Sequence, residues 1–466
     1  MSIWKPILNN LPEVVGPTQK RLGFKEKLKW TLIILVVFFV LGLMPLFGLS
    51  DNNLQQFEFL SIVLGASFGS IISLGIGPIV TASIVLQLLN GSGLVKFDLT
   101  SPDGKKTFQG VQKLLALFFI VFEGAIYVFM GGLTPDPALQ GLPIFFQLQL
   151  ILIGQLIVGG ILIMFMDEVI SKWGFGSGIS LFIAAGVSQS IFVQAFNWLP
   201  GPTGFEGITY SSGKIPQLFQ ALARGDPTTA FLALAALAAT VFVFLLVVYA
   251  QAMKVEIPLS FGRIRGHGVR WPLSFIYTSN IPVILVAALL ANIQLWGRLL
   301  QNWGYPILGS FSTNGVPESG VVAWTNSVDL IRGAITGSLT SVDIFHSLGY
   351  LFIFMVGSLI FSIFWMQTAG MDARSQAKQM MSSGLQIPGF RRDQRVLETI
   401  LNRYIWPLTV MGGLTVGLIA ATADLTGALS RGTGILLAVM IVYKLYEEIA
   451  QQHMMDMHPM MRKFME

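Results

Sequence analysis

Residues 57–89 read FEFLSIVLGASFGSIISLGIGPIVTASIVLQLL, an apolar run of 33 residues whose single charge is Glu58. Glycines and a proline interrupt the run, at Gly65, Gly69, Gly75, Gly77 and Pro78. One membrane-spanning helix needs ~20 apolar residues, so the run is too long for one helix. It forms either two complete membrane crossings joined by a tight turn, or a half-helix that enters the membrane without crossing it, followed by one helix that crosses. The choice reverses the side on which every later loop lies.

The composition places the chain in a membrane. Of its 466 residues 53% are hydrophobic and 11% are charged, against about 25% charged in a soluble domain. No cleavable signal pattern precedes the first apolar segment, so we expect its basic leader to remain in the mature protein. The absence of cysteine excludes disulfides and thiolate metal sites. Ten segments are long enough to span, near residues 30–49, 76–92, 107–131, 143–166, 178–196, 229–252, 273–297, 344–368, 404–423 and 432–450.

The distribution of lysine and arginine decides the topology. If residues 57–75 form a half-helix that does not cross, 24 of the 29 lysines and arginines lie on the N-terminal side and 5 on the opposite side. If the stretch crosses completely, the counts become 11 and 18. Cytoplasmic loops carry the excess of these residues. The sequence therefore predicts ten crossings, one re-entrant segment and cytoplasmic termini, and the break at 75–78 predicts a cavity at membrane depth.

A connection rich in proline and glycine, residues 199–228, separates five predicted spans from five. An odd number of spans in each half gives the halves opposite orientations, as in an inverted repeat. This prediction rests on the count, because no residue-level similarity between the halves is evident. We predict an all-α polytopic membrane protein of ten transmembrane helices in two inverted five-helix halves. Its parts are a cytoplasmic amphipathic leader at 1–30, an N-terminal half at 31–198, the hinge connection at 199–228, a C-terminal half at 229–450 and a cytoplasmic tail at 451–466.

Polar side chains inside the predicted spans are few. Glu123 lies within the third span, where a charge costs ~2.5–3.5 kcal/mol on insertion scales, so its default interpretation is functional. For uncharged residues the alternative is structural hydrogen bonding between helices, worth under ~2 kcal/mol each. The uncharged residues are Thr81, Gln87, Asn280, Asn292 and Gln294.

One motif suggests an enzyme, and its context argues against that interpretation. Residues 65–69, GASFG, match a nucleophile elbow around Ser67, which needs a strand, a sharp turn, a helix, a histidine and an acid. The flanks here are apolar with a helical pattern, and none of the four histidines falls at mid-membrane in the predicted topology. We predict that the chain is not an enzyme and uses no cofactor or metal.

Four further stretches carry a resemblance to a known family. They are LGIGPIVTA at 74–82, DEVISK at 167–172 followed by GSGI at 176–179, ANIQLWG at 291–297 and GTGILL at 432–437. In this order they resemble the SecY family, the channel subunits of the protein-conducting translocon, in its archaeal form. The resemblance covers essentially the whole chain. It implies two inverted halves around an hourglass pore that opens across the membrane and sideways into lipid.

The resemblance also implies positions for the parts of such a channel. The constriction ring falls on Ile76, Val80, Ile179, Ile183, Ile284 and Leu437. The plug, a re-entrant half-helix near 57–70, includes Phe57, Glu58, Leu60, Ile62, Leu64, Gly65 and Phe68. The lateral gate, between the second and third spans and the seventh and eighth, has polar positions at Thr81, Glu123 and Asn292. The docking site for the ribosome or a motor falls on Arg263, Arg265, Arg391 and Arg392.

Each assignment competes with a simpler interpretation. Isoleucine and valine at i, i+4 spacing lie on one helix face and are ordinarily core. The two long cytoplasmic loops expected at 254–272 and 370–403 are basic, which follows from the positive-inside rule without any docking partner. A narrow apolar collar, by contrast, resists wetting and blocks ions while its side chains can pack around a passing polypeptide. Basic side chains attract ribosomal RNA phosphates through contacts that do not depend on base sequence.

The remaining expectations concern partners and energy. The resemblance implies a SecE-like single-span subunit, a second small subunit that is Sec-beta-like, the ribosome, nascent signal-bearing polypeptides and membrane lipid, with the channel in the plasma membrane. No nucleotide-binding loop is present, so we predict a passive pore driven by a partner. The alternative is a solute-coupled secondary transporter, which also favours inverted repeats and broken helices. Such a transporter needs several ionisable groups at mid-membrane, where this chain has one clear carboxylate.

Overall fold

The computed structural model describes residues 11–18, 22–52, 66–91, 94–95, 97, 102–203, 209–261, 268–278, 281–312, 316–382, 385–386, 393–430 and 432–457. Within these residues the chain is mainly helical. Its helices are α1 (Phe24–Leu43), α2 (Gly77–Gly91), α3 (Pro102–Phe129), α4 (Pro143–Trp173), α5 (Gly178–Phe196), α6 (Lys214–Arg224), α7 (Pro227–Ala252), α8 (Ile281–Asn302), α9 (Gly320–Trp324), α10 (Leu330–Thr336), α11 (Ser341–Thr368), α12 (Ala373–Ser382), α13 (Gln394–Leu425) and α14 (Gly432–Met457). Its strands are β1 (Asp51–Asn52), β2 (Leu133–Thr134), β3 (Pro200–Thr203), β4 (Thr209–Ser211), β5 (Lys254–Phe261), β6 (Gly268–Ser274) and β7 (Leu385–Gln386).

Each of the ten predicted apolar segments falls on a helix: α1 to α5, α7, α8, α11, α13 and α14. Seven of these meet a strict length and hydropathy requirement within the described residues, and α1, α2 and α14 do not. The shortfall has simple causes. Helix α2 is short, and charged residues in the first turns of α1 and the second half of α14 dilute their apolar character. The fold therefore agrees with the predicted polytopic helical class.

Two predicted boundaries are wrong. The first segment was expected over 30–49, but α1 ends at Leu43, where Met44 turns to extended backbone just before Pro45. The residue before a proline is biased away from helical backbone, which accounts for this early end. The seventh segment was expected from 273, but residues up to Ser274 form strand β6 and the helix begins at Ile281. Residues 24–30 of the predicted leader form the first turns of α1 itself.

Contacts divide the chain into two compact units. The first comprises residues 1–189, 291–323 and 441–466, and the second comprises 190–290 and 324–440. The predicted division at 199–228 is a separate statement about topology and stays a prediction. The described part of that connection holds the β3–β4 hairpin and helix α6, so it is ordered locally.

In the first unit α3 packs against both α2 and α4, and α1 packs against α4. Glycines in α4 allow the closest approaches. A Cβ atom added to Gly160 would lie 2.8 Å from Ile120 Cγ2 on α3, and one added to Gly159 would overlap the carbonyl group of Ile71. Small residues at such crossings let backbones approach in a membrane, where packing rather than water drives helix association.

The N-terminal segment 11–18 lies along the ends of α3 and α4. The side chain of Lys172 donates to Glu13 at 2.6 Å, and the indole of Trp173 donates to the Val15 carbonyl at 2.9 Å. Glu168 accepts from the Val14 amide and forms an ion pair with Lys113. Lys172 holds the pKa of the Glu13 carboxyl below its usual range. This segment is therefore fastened by charge near the predicted cytoplasmic surface.

In the second unit α11 and α13 form the most extensive helix pair. Two glycines of α13, Gly413 and Gly417, allow the close approach of these helices. A Cβ at Gly417 would lie 2.9 Å from Met355 Cα, and one at Gly413 would lie 2.8 Å from Ser362 Cβ. Helix α7 packs against α6, α10 and α13.

A small sheet occupies the two regions that were expected to be basic loops. Strands β5 and β6 pair over Lys254–Ser260 and Gly268–Ser274, and β7 joins the other edge of β5. Ile257 and Leu273 of this sheet pack with residues of α12 and α13 in one apolar cluster. Tyr277 donates to the Met371 carbonyl at 2.7 Å, and its burial, together with the Asp372 carboxylate, raises its pKa to about 12. The loops at 254–272 and 370–403 are thus joined in one folded element.

Candidate constriction, plug and gate

The six residues of the predicted ring share one structural property. Each lies immediately before a helix or within its first two turns: Ile76 and Val80 at α2, Ile179 and Ile183 at α5, Ile284 at α8, and Leu437 at α14. Ile183 and Leu437 are fully buried and Ile76 is 1% exposed, while the other three are half-buried. The first four belong to the first unit and the last two to the second. The predicted ring as a whole stays a prediction.

Residues 66–76, which lead into α2, are irregular backbone saturated with hydrogen bonds. Ser73 accepts from the Gly69 amide at 2.9 Å and donates to the carbonyl groups of Ser67 and Ser70. Ser67 donates to the Gly42 carbonyl at the end of α1. Gly75 adopts a φ of +56°, a backbone conformation that suits glycine. Since lipid offers no partners, these internal bonds allow a broken helix to persist at membrane depth.

These serines, whose hydroxyl groups bond the backbone that leads into α2, are the residues of this region that the sequence analysis did not single out together. Ser67, Ser70 and Ser73 recur every third residue, and that spacing is visible in the printed sequence. The nucleophile-elbow motif drew attention to Ser67, whose hydroxyl instead donates a hydrogen bond to the Gly42 carbonyl near the end of α1. A hydroxyl every third residue beside glycines was the available signal, because serine readily bonds to nearby backbone in place of helix.

Of the seven plug residues named from the resemblance, the structure describes Phe68. Phe68 is half-buried, and its ring lies 6.3 Å from that of Tyr127 on α3 in an edge-to-face arrangement. Phe57, Glu58, Leu60, Ile62, Leu64 and Gly65 lie outside the described residues. The described end of the plug therefore contacts the third predicted span.

The predicted gate residues lie on α2, α3 and α8. Thr81 donates to the Gly77 carbonyl of its own helix at 2.9 Å, and its hydroxyl also contacts the Glu123 carboxyl group. Asn292 is half-buried beside Ala291, which packs with Leu295, Leu74 and other buried residues in one apolar cluster. That cluster includes Ile120 and Tyr127 of α3. The structure thus brings Thr81 and Glu123 together and packs the second half of α8 against the same apolar cluster.

The predicted docking arginines, Arg263, Arg265, Arg391 and Arg392, lie outside the described residues. Their flanking strands are described. The segment with Arg263 and Arg265 connects β5 to β6, and Arg391 follows β7 by five residues. The described strands that precede the two arginine pairs in sequence, β5 and β7, belong to one sheet and pair through Ser260 and Phe261 of β5.

The fold is that of a polytopic α-helical membrane protein with a re-entrant segment. Its described helices are long and apolar, and serine hydrogen bonds hold the irregular backbone before α2. The comparisons with known proteins identify its family. A family profile described as SecY matches residues 70–446, and one described as the plug domain of Sec61p matches residues 36–69. The chain belongs to the SecY family. The plug match begins earlier than the predicted 57–70 and overlaps it.

Relatives and solved structures agree with this membership. The chain is 47% identical to a protein translocase subunit SecY from Methanothermobacter thermautotrophicus, over 99% of this chain and 98% of the relative. It is 41% identical to the corresponding protein of Methanocaldococcus jannaschii, with 99% and 98% covered. A solved structure described as "The structure of a protein conducting channel" has a TM-score of 0.81 at 40% identity, with 98% of each chain covered. Sec61 in a canine ribosome-channel complex has a TM-score of 0.79 at 39% identity, again with 98% of each chain covered.

The chain is therefore a multi-pass, protein-conducting membrane channel, as its relatives and the matching structures are. The predicted function is confirmed at this level. The alternative of a solute-coupled transporter has no support among these matches.

Proposed function

We propose that polypeptides pass through a constriction formed by Ile76, Val80, Ile179, Ile183, Ile284 and Leu437. The observation that carries this proposal is the shared placement of all six apolar residues at helix starts. A side chain in the first turns of a helix is positioned by the bonds that begin the helix, so a small shift of that start moves it. An apolar collar of this kind excludes ions by dewetting and yields to an extended peptide. The channel acts as a passive conduit without catalytic activity.

In this proposal the plug, which precedes α2 in the chain, closes the pore. The ring contact between Phe68 and Tyr127 on α3 supports a plug whose end packs against a gate helix. Residues 66–69, at the described end of the plug, are only half-buried, which suits an element that must leave its seat.

The lateral gate uses Thr81, Glu123 and Asn292. The contact between Thr81 and Glu123 supports a role in holding α2 against α3 until a hydrophobic signal sequence enters. The apolar cluster that joins α3 to the second half of α8 supplies the rest of the closed seam. The gate therefore combines one polar contact with apolar packing, which an intercalating signal sequence can replace.

The proposed partners act on the cytoplasmic side and within the membrane. A related channel, Sec61, occurs in a ribosome-channel complex, and we extend that partner to this chain through Arg263, Arg265, Arg391 and Arg392. A SecE-like single-span subunit, a second small Sec-beta-like subunit, signal-bearing polypeptides and lipid complete the assembly. Both termini lie in the cytoplasm, as the lysine and arginine distribution predicts, and the channel lies in the plasma membrane.

The decisive test is site-specific photo-crosslinking of a ribosome-stalled secretory chain. A photo-reactive residue at position 183 or 437 should give an adduct with the stalled chain and none with a signal-deleted chain. Position 352, an exposed phenylalanine on α11, is the matched control in the same protein. Equal labelling at 183, 437 and 352 would contradict the proposed constriction.

The gate is tested by making its polar positions apolar. The triple variant Thr81→Val, Glu123→Leu and Asn292→Leu should change the hydrophobicity at which a signal sequence is accepted. Gln194→Leu, which removes a half-buried polar group from α5, is the control. An unchanged threshold in the triple variant would refute the role given to these residues.

Docking is tested by charge reversal at Arg263 and Arg391. The double variant Arg263→Glu and Arg391→Glu should weaken ribosome binding, most strongly at low salt, without lowering the thermal stability of the channel. Arg224→Glu, on α6, is the control for a general change in net charge. If both variants weaken binding equally, the docking assignment is wrong.

A further inference from the structure

We propose that Asp167 and Asp424 are matched positioning residues, one in each half of the channel. Each carboxylate holds the start of a helix that presents a ring residue one turn further on: Ile183 on α5 and Leu437 on α14. The inference rests on the proposed function, because the ring assignment belongs to that proposal.

The first contact joins α4 to α5. Asp167, six residues before the end of α4, accepts a hydrogen bond at 3.0 Å from the backbone N–H of Ile179. Ile179 is the second residue of α5, and the first N–H groups of a helix have no partner within it. A Cβ atom added to Gly178 would lie 2.7 Å from Asp167 Oδ1, so glycine there permits the approach. The negative charge of the carboxylate also suits the positive end of the helix dipole.

The second contact joins α13 to α14 in the same way. Asp424, 6% exposed, lies one residue before the end of α13. Its Oδ1 accepts from the N–H of Thr433 at 3.1 Å and from the Thr433 hydroxyl at 3.3 Å. Its Oδ2 accepts from the Tyr350 hydroxyl at 2.7 Å. Here too a glycine begins the helix, and a Cβ at Gly432 would lie 2.5 Å from Ala423 Cα.

The two junctions share one register. In each, a glycine is the first helical residue, the next residue donates to the aspartate, and the ring residue follows the donor by four positions. Four residues are about one helical turn, or ~6 Å along the axis. Ile183 and Leu437 are both fully buried. Helices α5 and α14 are the fifth and tenth predicted spans, which are the last spans of the two predicted halves. The shared register is therefore a similarity between the halves at the level of residues, which the count of spans did not provide.

The physical consequence concerns the height of the ring residues. If α5 or α14 slid or rotated, it would lose a hydrogen bond to a charged acceptor, and one of its first N–H groups would lose the partner that the aspartate supplies. In the proposed topology the α4–α5 junction is cytoplasmic and the α13–α14 junction lies on the opposite side. The two carboxylates therefore fix the constriction from opposite sides of the membrane.

The test measures ion leakage through the closed channel in planar lipid bilayers. Asp167→Ala and Asp424→Ala should each raise the conductance without substrate about fivefold, the population shift that corresponds to loss of ~1 kcal/mol of cap stabilisation. Asp167→Asn and Asp424→Asn retain an acceptor and should restore low leakage. Unchanged leakage in both alanine variants would overturn the proposal.

The chain provides a matched control cap. Asp226 accepts from the N–H of Thr229 at 3.1 Å and begins α7, which carries no ring residue. Asp226→Ala should lower the unfolding temperature of the channel about as much as Asp167→Ala or Asp424→Ala does. It should leave ion leakage unchanged. An equal rise in leakage with Asp226→Ala would show a general loss of packing and would refute positioning. If an alanine variant fails to reach the membrane, Asp167→Ser and Asp424→Ser, whose side chains are too short to bridge the helices, repeat the comparison.

Failure of this inference can be distinguished from failure of the ring assignment. If the ring is wrong, the unaltered channel gives no stalled-chain adducts at 183 and 437. If only the positioning role is wrong, those adducts form while the alanine variants leak no more than the unaltered channel.

Discussion

Two stretches of backbone lead into helices that carry ring residues, and they are held by different chemistry. Residues 66–76 lead into α2 and are bonded by neutral serine hydroxyls to partners three to six positions away, with further bonds to residues 42–46. The start of α14 is bonded by one buried carboxylate from another helix. Neutral bonds are worth about 0.5–1.5 kcal/mol each, and bonds to charged groups about twice as much. The weaker serine bonds suit a segment from which a plug can move away. The stronger carboxylate bonds suit a helix start that stays fixed.

The largest expected effect tests how closely residues 66–76 are packed. In Gly159→Ala the new Cβ would overlap the Ile71 carbonyl oxygen and lie 2.8 Å from its carbon, so backbone must move. We expect a loss of about 3 kcal/mol in the free energy of unfolding, at the upper end for overpacking. Thermal unfolding in detergent measures the change. Gly154→Ala, in the same helix with nothing within 4 Å of the new atom, is the control. If the two variants have equal stability, the close approach at Ile71 is not as described.

The next effect tests the fixed side of the comparison. Tyr350→Phe removes the hydroxyl that donates to Asp424 and leaves one carboxylate oxygen buried without that donor. We expect a loss of about 1–2 kcal/mol, because the variant loses a hydrogen bond from a hydroxyl group to a buried carboxylate. Tyr249→Phe, on an exposed ring of α7, should change stability little. A neutral outcome for Tyr350→Phe would mean that the carboxylate network contributes less than its burial indicates.

A smaller effect is expected in residues 66–76, which lead into α2. Ser73→Ala removes one acceptor and one donor within residues 66–76. We expect about 1 kcal/mol of local destabilisation, seen as faster hydrogen exchange in residues 66–76 and unchanged exchange in α14. Ser171→Ala, at an exposed position near the end of α4, is the control. Faster exchange in both regions would show that the two are held as one cooperative unit, against the comparison.

The smallest expected effect tests whether a charged pair at the surface contributes as much stability as a buried carboxylate. Glu13 pairs with Lys172 at the surface, and the pair lowers the pKa of Glu13. Its contribution is present above the usual glutamate pKa of about 4.3 and is lost as the pH falls through the lower folded value. Glu13→Gln should remove this pH dependence at a cost under ~1 kcal/mol. Hydrogen exchange of residues 11–18 between pH 7 and pH 3 measures it, and high salt should mimic the variant. A pH-independent pair would contradict the assigned contact.

Prediction from sequence worked best where the membrane dictates the answer. All ten apolar segments fall on helices, and the glycine-proline break at 75–78 falls where α2 begins. It worked less well at 254–272 and 370–403, where the expected loops contain β5, β6, β7 and α12. Sheet pairing joins residues over a hundred positions apart, so no local pattern shows it. The serine spacing at 67, 70 and 73 was visible, but its meaning depends on backbone that only the fold supplies.

By itself the sequence determined the membrane class, the number of apolar segments and the motifs of the SecY family, and it predicts the orientation from lysine and arginine. It could do so because lipid acts on each segment separately, through length, polarity and flanking charge. Only the tertiary structure decided that Asp167 and Asp424 begin the helices that follow them, that serines hold the break before α2, and that Thr81 meets Glu123. Those contacts need particular atoms within about 3 Å of each other, and chain periodicity does not encode which distant partner fills such a position.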